Sequence, residues 1–327
     1  MTLLIRTVVT DRGDAGRRLD HVLRRHLGDD ARATRTRVQQ WIADGHVLVN
    51  GVAVRRAAAR AASGDILTVR LHGLAPRAAV AAEEIALQTL YEDASLIAID
   101  KPAGMVVHPS FRHAAGTLLN ALTWRARNWP APSRPSIVGR LDRLTSGVVI
   151  AAKSAAMHAA LQRALTAPDA EKTYLAVVYG RMRTRGQIDL RLAKAGDRRR
   201  VIASADTGAP SLTRFERLAR VTAPRAGLAL VRCALVTGRA HQIRAHMAAS
   251  GWPLVGDPVY GEPRWRDVVD PTLADALRAF PRQALHARRV VFAHPITKAR
   301  ITIDASLPSD FSELLRASGL DFDPRRS

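Results

Sequence analysis

The chain has 327 residues, 47% of them hydrophobic, with fifty Lys and Arg against twenty-nine Asp and Glu for a formal charge of +21. This predicts a globular chain with one large and one small domain, and a positive excess suited to a polyphosphate partner. The single Cys233 excludes disulfides within the chain and a thiolate zinc cluster; no apolar run nears a bilayer span of roughly 18–20 residues, and Leu3-Leu4-Ile5 is too short for a signal-peptide core, so a cytoplasmic location is expected.

Residues 17–70 read as two helices and a hairpin. Leu19, Val22, Leu23 and Leu27 recur at helical spacing, and Val38, Trp41 and Ile42 repeat the i, i+3, i+4 pattern behind Thr34 as a cap. Val47 to Val54 predicts a strand pair around Asn50-Gly51, which tolerate the positive φ of a type I′ turn, and Gly64-Asp65 introduces a strand over 66–71. This order resembles the S4-like, αL-type RNA-binding domain of a small-subunit ribosomal protein and some tRNA synthetases. The resemblance implies that the start of the second helix and the hairpin face RNA. There Arg32, Arg35, Arg37, Arg55, Arg56 and Arg60 would supply charge to phosphates without base specificity. Singly, each reads as well as a solvated charge; the set favours binding.

From about 72 to 86 the chain is Ala-rich and loses periodicity. The expected division is therefore a small RNA-binding domain at 1–75, a linker at 76–86, a large domain at 87–317 and a C-terminal tail at 318–327. Within the large domain the pattern predicts a hairpin of 87–91 with 96–99, a helix over 116–127, a strand over 148–152 and a helix over 154–165. Strands over 173–178 and 228–236 and a helix over 240–249 follow. Arg198-Arg199-Arg200 marks a basic loop, and Cys233 falls in an apolar alternation that suits packing. The mixture predicts an α+β fold with a largely antiparallel sheet.

The chemistry concentrates in GRLDRLTSG, residues 139–147, ahead of the apolar run 148–152. Asp142 stands between Arg140 and Arg143, a setting that favours the carboxylate and makes it a candidate nucleophile, although an arbitrary string of this kind is more often a surface ion pair or a capped turn. The context resembles the RluA family of RNA pseudouridine synthases. Its signature is carried by RLDRLTSGV from Arg140, together with YED at 91–93, DKPAGMVVHP at 100–109, EKTYL at 171–175, TGRAHQIRAH at 237–246, GDPVYG at 256–261 and RQALH at 282–286. The resemblance covers about residues 87–310, and its ordered segments are together far more specific than any one alone.

The resemblance implies a pseudouridine synthase sheet core and an isomerase that detaches uracil from ribose and rejoins it through carbon 5. It makes Asp142 the nucleophile, Tyr174 the ring that stacks on uracil and takes part in proton transfer, and Arg244 the partner of the catalytic carboxylate. Arg140 would fill the space left by an extruded base. Lys172 and His241 join the RNA-binding set through their motifs, and His108 and His286 fit structural hydrogen bonding. Gly139 departs from the family's usual His. No cofactor is needed, and no metal is expected, since His241 and His246 are five apart rather than i, i+4. The segments look most like the branch acting on large-subunit ribosomal RNA, so the expected partner is ribosomal RNA or a large-subunit assembly intermediate, bound by a monomer with no membrane. A tRNA synthase and a non-catalytic ribosome-assembly factor are the alternatives.

Overall fold

The computed structural model describes residues 3–27, 33–72, 80–110, 113–131, 133–195, 200–222 and 227–320. It divides into two compact units, Met1–Ala79 and Val80–Ser327.

In the first unit the elements are β1 (Leu3–Val9), α1 (Leu19–His26), α2 (Arg35–Ala43), β2 (Val47–Val49), β3 (Val52–Ala53) and β4 (Ile66–His72). The helices bury the residues that periodicity selects, Leu19, Val22 and Leu23 from one and Val38, Trp41 and Ile42 from the other, against Val47, Leu67 and Val69 of the sheet. Fully burying each large aliphatic side chain is worth about 1.5–3 kcal/mol. Asn50 and Gly51 take φ of 51° and 85°, the two positive values a type I′ turn needs. Buried Asp20 ties α1 to α2, accepting from Arg18 at 3.0 Å and Gln39 at 2.7 Å.

The sheet order is β1-β4-β2-β3, so the chain contains a strand that its pattern does not announce. β1 pairs antiparallel with β4 from Leu3↔His72 to Val9↔Ile66. It is an edge strand with Ile5 and Val9 exposed, so apolar residues stand on the open face and the in/out alternation is lost.

The second unit contains β5 (Gln88–Glu92), β6 (Leu96–Lys101), α3 (Leu118–Arg125), β7 (Ser136–Val138), β8 (Ser146–Ala152), α4 (Ala155–Ala164), β9 (Glu171–Tyr179) and β10 (Arg185–Asp189). There follow β11 (Arg191–Lys194), β12 (Val201–Ser204), β13 (Leu212–Val221), β14 (Leu228–Leu235), α5 (Gln242–Ala249), α6 (Pro271–Ala279), β15 (Leu285–Ala293), β16 (Arg300–Asp304) and α7 (Ser309–Ala317). Ten strands form one sheet in the order β10-β13-β14-β9-β15-β8-β6-β5, with β16 on β15 and β7 on β8, and β11-β12 is a separate hairpin. Every pairing in the large sheet is antiparallel except β8 with β15 at His286↔Ser146 and Ala287↔Gly147.

All seven residues of β8 are buried, which is why its sequence is a continuous apolar run rather than an alternation. β6 and β8 lie between α3 and α4. β9 and β14 pack on α5 from one face and on α6 and α7 from the other. Cys233 is buried in the α5-side cluster, a packing position.

Two of the expected helices begin one or two residues later than their patterns because side chains cap them. Thr117 and Asn120 make a reciprocal capping box for α3, and Ser154 accepts from Met157 N–H ahead of α4. Two expected boundaries shift. Residues 81 and 83, assigned to the linker, bond to Asn120 of α3, and Glu83 accepts from Gly116 N–H, so this stretch is tied to the second unit by α3's exposed backbone groups. At the other end Ser318 and Leu320 are buried and Leu320 joins the α6–α7 core, so the fold continues beyond the last helix into the expected tail.

Candidate active site

Asp142 sits in the turn that feeds β8, at the point where β8 and β15 start side by side. Two glycines shape it. Gly139 has φ +80°, a left-handed conformation that suits glycine better than the His usual at this position. Gly147 has φ +110°, and a Cβ there would lie 2.2 Å from the Ala287 carbonyl oxygen, so the parallel contact of β8 with β15 requires glycine.

The backbone of the turn is clamped from distant segments. Thr145 N–H donates to the Asp142 carbonyl at 3.0 Å, and Gly104 N–H donates to the Arg143 carbonyl at 2.9 Å. Lys101 Nζ donates to that same Arg143 carbonyl at 3.1 Å and to those of Pro102 and Met105 at 2.7 and 3.0 Å, placing all three ammonium protons with the side chain fully buried. Burial, then the charge of Arg282, pushes Lys101 down to about 7. Arg282 donates to the Leu144 carbonyl at 3.3 Å while forking onto Asp310, and Gln283 donates to Thr145 Oγ1 at 3.0 Å. His286 shares a 3.0 Å hydrogen bond with Ser146 Oγ and faces the Ala305 carbonyl, the structural role its motif suggests.

The carboxylate itself meets Arg244, which comes from α5 102 residues further on. Arg244 Nη1 donates to Asp142 Oδ2 at 2.8 Å, while Nε and Nη2 fork onto Asp257 at 2.7 and 2.8 Å. One buried guanidinium therefore holds a fully buried carboxylate, Asp257, and a partly exposed one, Asp142, whose side chain is 21% accessible. Burial alone would raise the Asp257 carboxyl, but the bonds and charge of Arg244 and the N–H groups of Tyr260 and Val259 hold it below the usual carboxylate range. The same two aspartates outweigh burial at Arg244 and raise it further. This division leaves one carboxylate committed to structure and the other facing outward, bonded on a single oxygen.

His241 lies across from Arg244, Nε2 3.8 Å from Asp142 Oδ1. It caps α5 in the left-handed conformation, φ 54°, and its Nδ1 is 3.1 Å from the Tyr260 hydroxyl. Tyr174 on β9 is half-buried and has no hydrogen-bond partner among the described residues; burial, and then the charge of Asp142, pushes its hydroxyl up. Lys172 falls on the same face of β9 two residues earlier, partly buried and without a partner among the described residues, and burial lowers its ammonium. Arg140 is exposed beside the turn.

The structure thus brings Asp142, Arg244 and His241 together, places Tyr174 within the field of Asp142, and sets Lys172 on the Tyr174 face. His246, the other histidine of the α5 motif, is buried between Thr213 and the Leu190 carbonyl and plays a structural part. Asp257, Tyr260, Lys101 and Gln283 belong to the site's frame but stand outside the residues that sequence reasoning selected. All lie in quoted motifs; what spacing cannot supply is the contact.

In the first unit Arg35, Arg37 and Arg56 have no partner among the described residues. Arg55 donates to the Ala43 carbonyl at 3.1 Å and Arg60 to that of Gly16, so each spends part of its fork on its own domain. Arg32 lies outside the described residues, as do Arg198 and Arg199 of the basic loop. Asp11, Asp14 and His26 bring three ligand-type atoms within 4.8 Å of one another, but Arg25 bonds both carboxylates and already supplies the positive charge. No helix among the described residues is long and apolar enough to cross a membrane.

Residues 95–249 match the family model described as RNA pseudouridylate synthase, and residues 17–67 match the S4 domain. The chain is 39% identical over 302 residues to the ribosomal large subunit pseudouridine synthase D of Pseudomonas aeruginosa, covering 92% of this chain and 91% of that protein. It is 38% identical over 287 residues to the uncharacterized RNA pseudouridine synthase YlyB of Bacillus subtilis, covering 86% and 88%. Among solved structures, human RNA pseudouridylate synthase domain containing 4 superposes with a TM-score of 0.58 at 22% identity, over 72% of this chain and 94% of that one, a likeness of fold.

Proposed function

Since the chain belongs to the RNA pseudouridylate synthase family, we propose that its substrate is large-subunit ribosomal RNA and that Asp142 is the catalytic carboxylate. The target is supported by the named relatives, which this chain matches over nearly their whole length. The assignment of Asp142 is carried by one observation: a single guanidinium bridges buried Asp257 and accessible Asp142, so the reactive anion is held by a partner that is itself fixed.

In this reading the clamped turn fixes Asp142 before RNA arrives, so little reorganisation is needed in the transition state. Arg244 orients the carboxylate through its 2.8 Å hydrogen bond. Tyr174, uncharged and half-buried, offers a face to the uracil ring, and Lys172 offers an unpaired ammonium to a nearby phosphate. Arg140, exposed beside Asp142, stacks in the helix from which the base has been extruded. Arg35, Arg37 and Arg56 grip phosphates from the small domain.

The test is Asp142→Asn, which keeps the shape of the side chain and removes its charge. Tritium release from RNA labelled at carbon 5 of uridine should fall by orders of magnitude with RNA affinity retained. Activity within a few-fold of wild type would remove Asp142 from the chemistry. A pseudouridine map of ribosomal RNA and tRNA from cells with and without the protein identifies the target, and sites lost only from tRNA would overturn the ribosomal assignment.

A further inference from the structure

The reaction moves a proton as well as a glycosidic bond. When C1′ of ribose leaves N1 and bonds to C5, the hydrogen on C5 must depart as a proton, returning its electron pair to the ring, and N1 must gain one. A base is therefore needed beside Asp142.

Tyr174 is a poor candidate for that base. A phenol at its ordinary pKa is ionised about one time in a thousand at pH 7, and burial and the Asp142 charge push Tyr174 further from ionisation. The lone pair that the site does offer belongs to His241. Val201 N–H donates to Tyr260 Oη at 2.8 Å, and the Tyr260 hydroxyl donates to the Val201 carbonyl at 3.0 Å. Assigning the phenol proton to the Val201 carbonyl makes Oη the acceptor from His241, and this assignment puts the imidazole proton on Nδ1 and leaves Nε2 bare. Bare Nε2 and Asp142 Oδ1 are 3.8 Å apart, two acceptors turned to one small space. Each can lie within reach of the same substrate group at a hydrogen-bond distance of about 2.8 Å.

On the isomerase reading above, we infer that His241 is a catalytic residue whose Nε2 takes the C5 proton of the rejoined uracil. Its backbone supports the assignment. A histidine in left-handed conformation is uncommon, and such residues cluster where a side chain must be aimed. The groups that face it are Asp142 and Arg140 from the turn, Arg244 from α5, and Asp257 and Tyr260 from the segment after α5. Burial lowers its pKa, Asp142 and Asp257 raise it, and Arg244 and Arg140 lower it, with a net downward shift that leaves the imidazole neutral and receptive at pH 7. Once protonated, Nε2 can return the proton to N1 or to solvent, so no further reactant is required.

Two variants of the full chain test this on ribosomal RNA transcribed with C5-deuterated or ordinary uridine. Asn tolerates left-handed φ and keeps an N–H for Tyr260, so His241→Asn removes the base with little change of backbone. Its single-turnover rate should fall about 100-fold or more, with RNA affinity within a few-fold of wild type and a C5-deuterium isotope effect larger than that of the wild type. Added imidazole should restore part of the rate to His241→Ala. A near-wild-type rate, a loss of rate with no rise in the isotope effect and no rescue, or a loss explained by affinity would overturn the assignment. An inactive wild type or an active Asp142→Asn would instead bring down the isomerase reading on which it rests.

Discussion

Arg244 answers to two carboxylates, and that shapes what its substitution does. Arg244→Ala strands the buried Asp257 charge and should destabilise the second unit by about 3–5 kcal/mol in denaturant unfolding, besides abolishing turnover. Adding Asp257→Asn should recover much of the stability and none of the activity. Arg244→Lys should retain part of both, because an ammonium cannot reproduce the fork. A second consequence concerns pH. Burial holds His286 down to about 4 while it bridges Ser146 and the Ala305 carbonyl. Between that value and the roughly 6.5 of an unfolded histidine the unfolded chain binds more protons. Its contribution of roughly 3 kcal/mol is thus full above pH 6.5 and is lost as pH falls toward 4, levelling off below. Chemical denaturation across that range should show the decline, and His286→Gln should flatten it. At this scale the pairing of Arg244 with Asp142 was legible through their motifs, whereas the parts of Asp257 and Tyr260 were not, because only folding carries them back onto α5.

Elements position the site through a few close backbone contacts. The meeting of β8 with β15 leaves no room for a side chain at Gly147, so Gly147→Ala should separate the strands that carry the Asp142 turn and the His286 segment. A loss of about 2–4 kcal/mol and a rate loss exceeding the fraction unfolded are expected, checked by unfolding and single-turnover assays on the same preparation. The elements that periodicity identified are those buried on one face, such as α1 and α2, or on both, such as β8. β13 and β15 escaped because arginines interrupt their apolar residues: Phe215 is buried beside exposed Arg214, and β15 contains Arg288 and Arg289, held by Asp304 at its edge. β1 escaped because its apolar residues stand on an open face.

At the scale of the whole molecule the chain has two units, and the proposed function assigns RNA gripping to the first and the chemistry to the second. Removing residues 1–79 while keeping Ala81 and Glu83 on α3 should cut the salt dependence of RNA binding by about 2–3 units in log-log slope. That is roughly 0.7–0.9 for each phosphate contact given up by Arg35, Arg37 and Arg56. The single-turnover rate on saturating RNA should change far less; equal slopes would show that the small unit does not hold phosphate. The sequence by itself determined the α+β class, the two-part organisation and the family, because composition, apolar period and ordered motifs are local properties of the chain. Only the tertiary structure showed that Asp142, partly exposed, shares its arginine with a second, fully buried carboxylate. The motif singles out Asp142 but says nothing of Asp257, whose tie to the same guanidinium exists only once α5 lies against the start of β8.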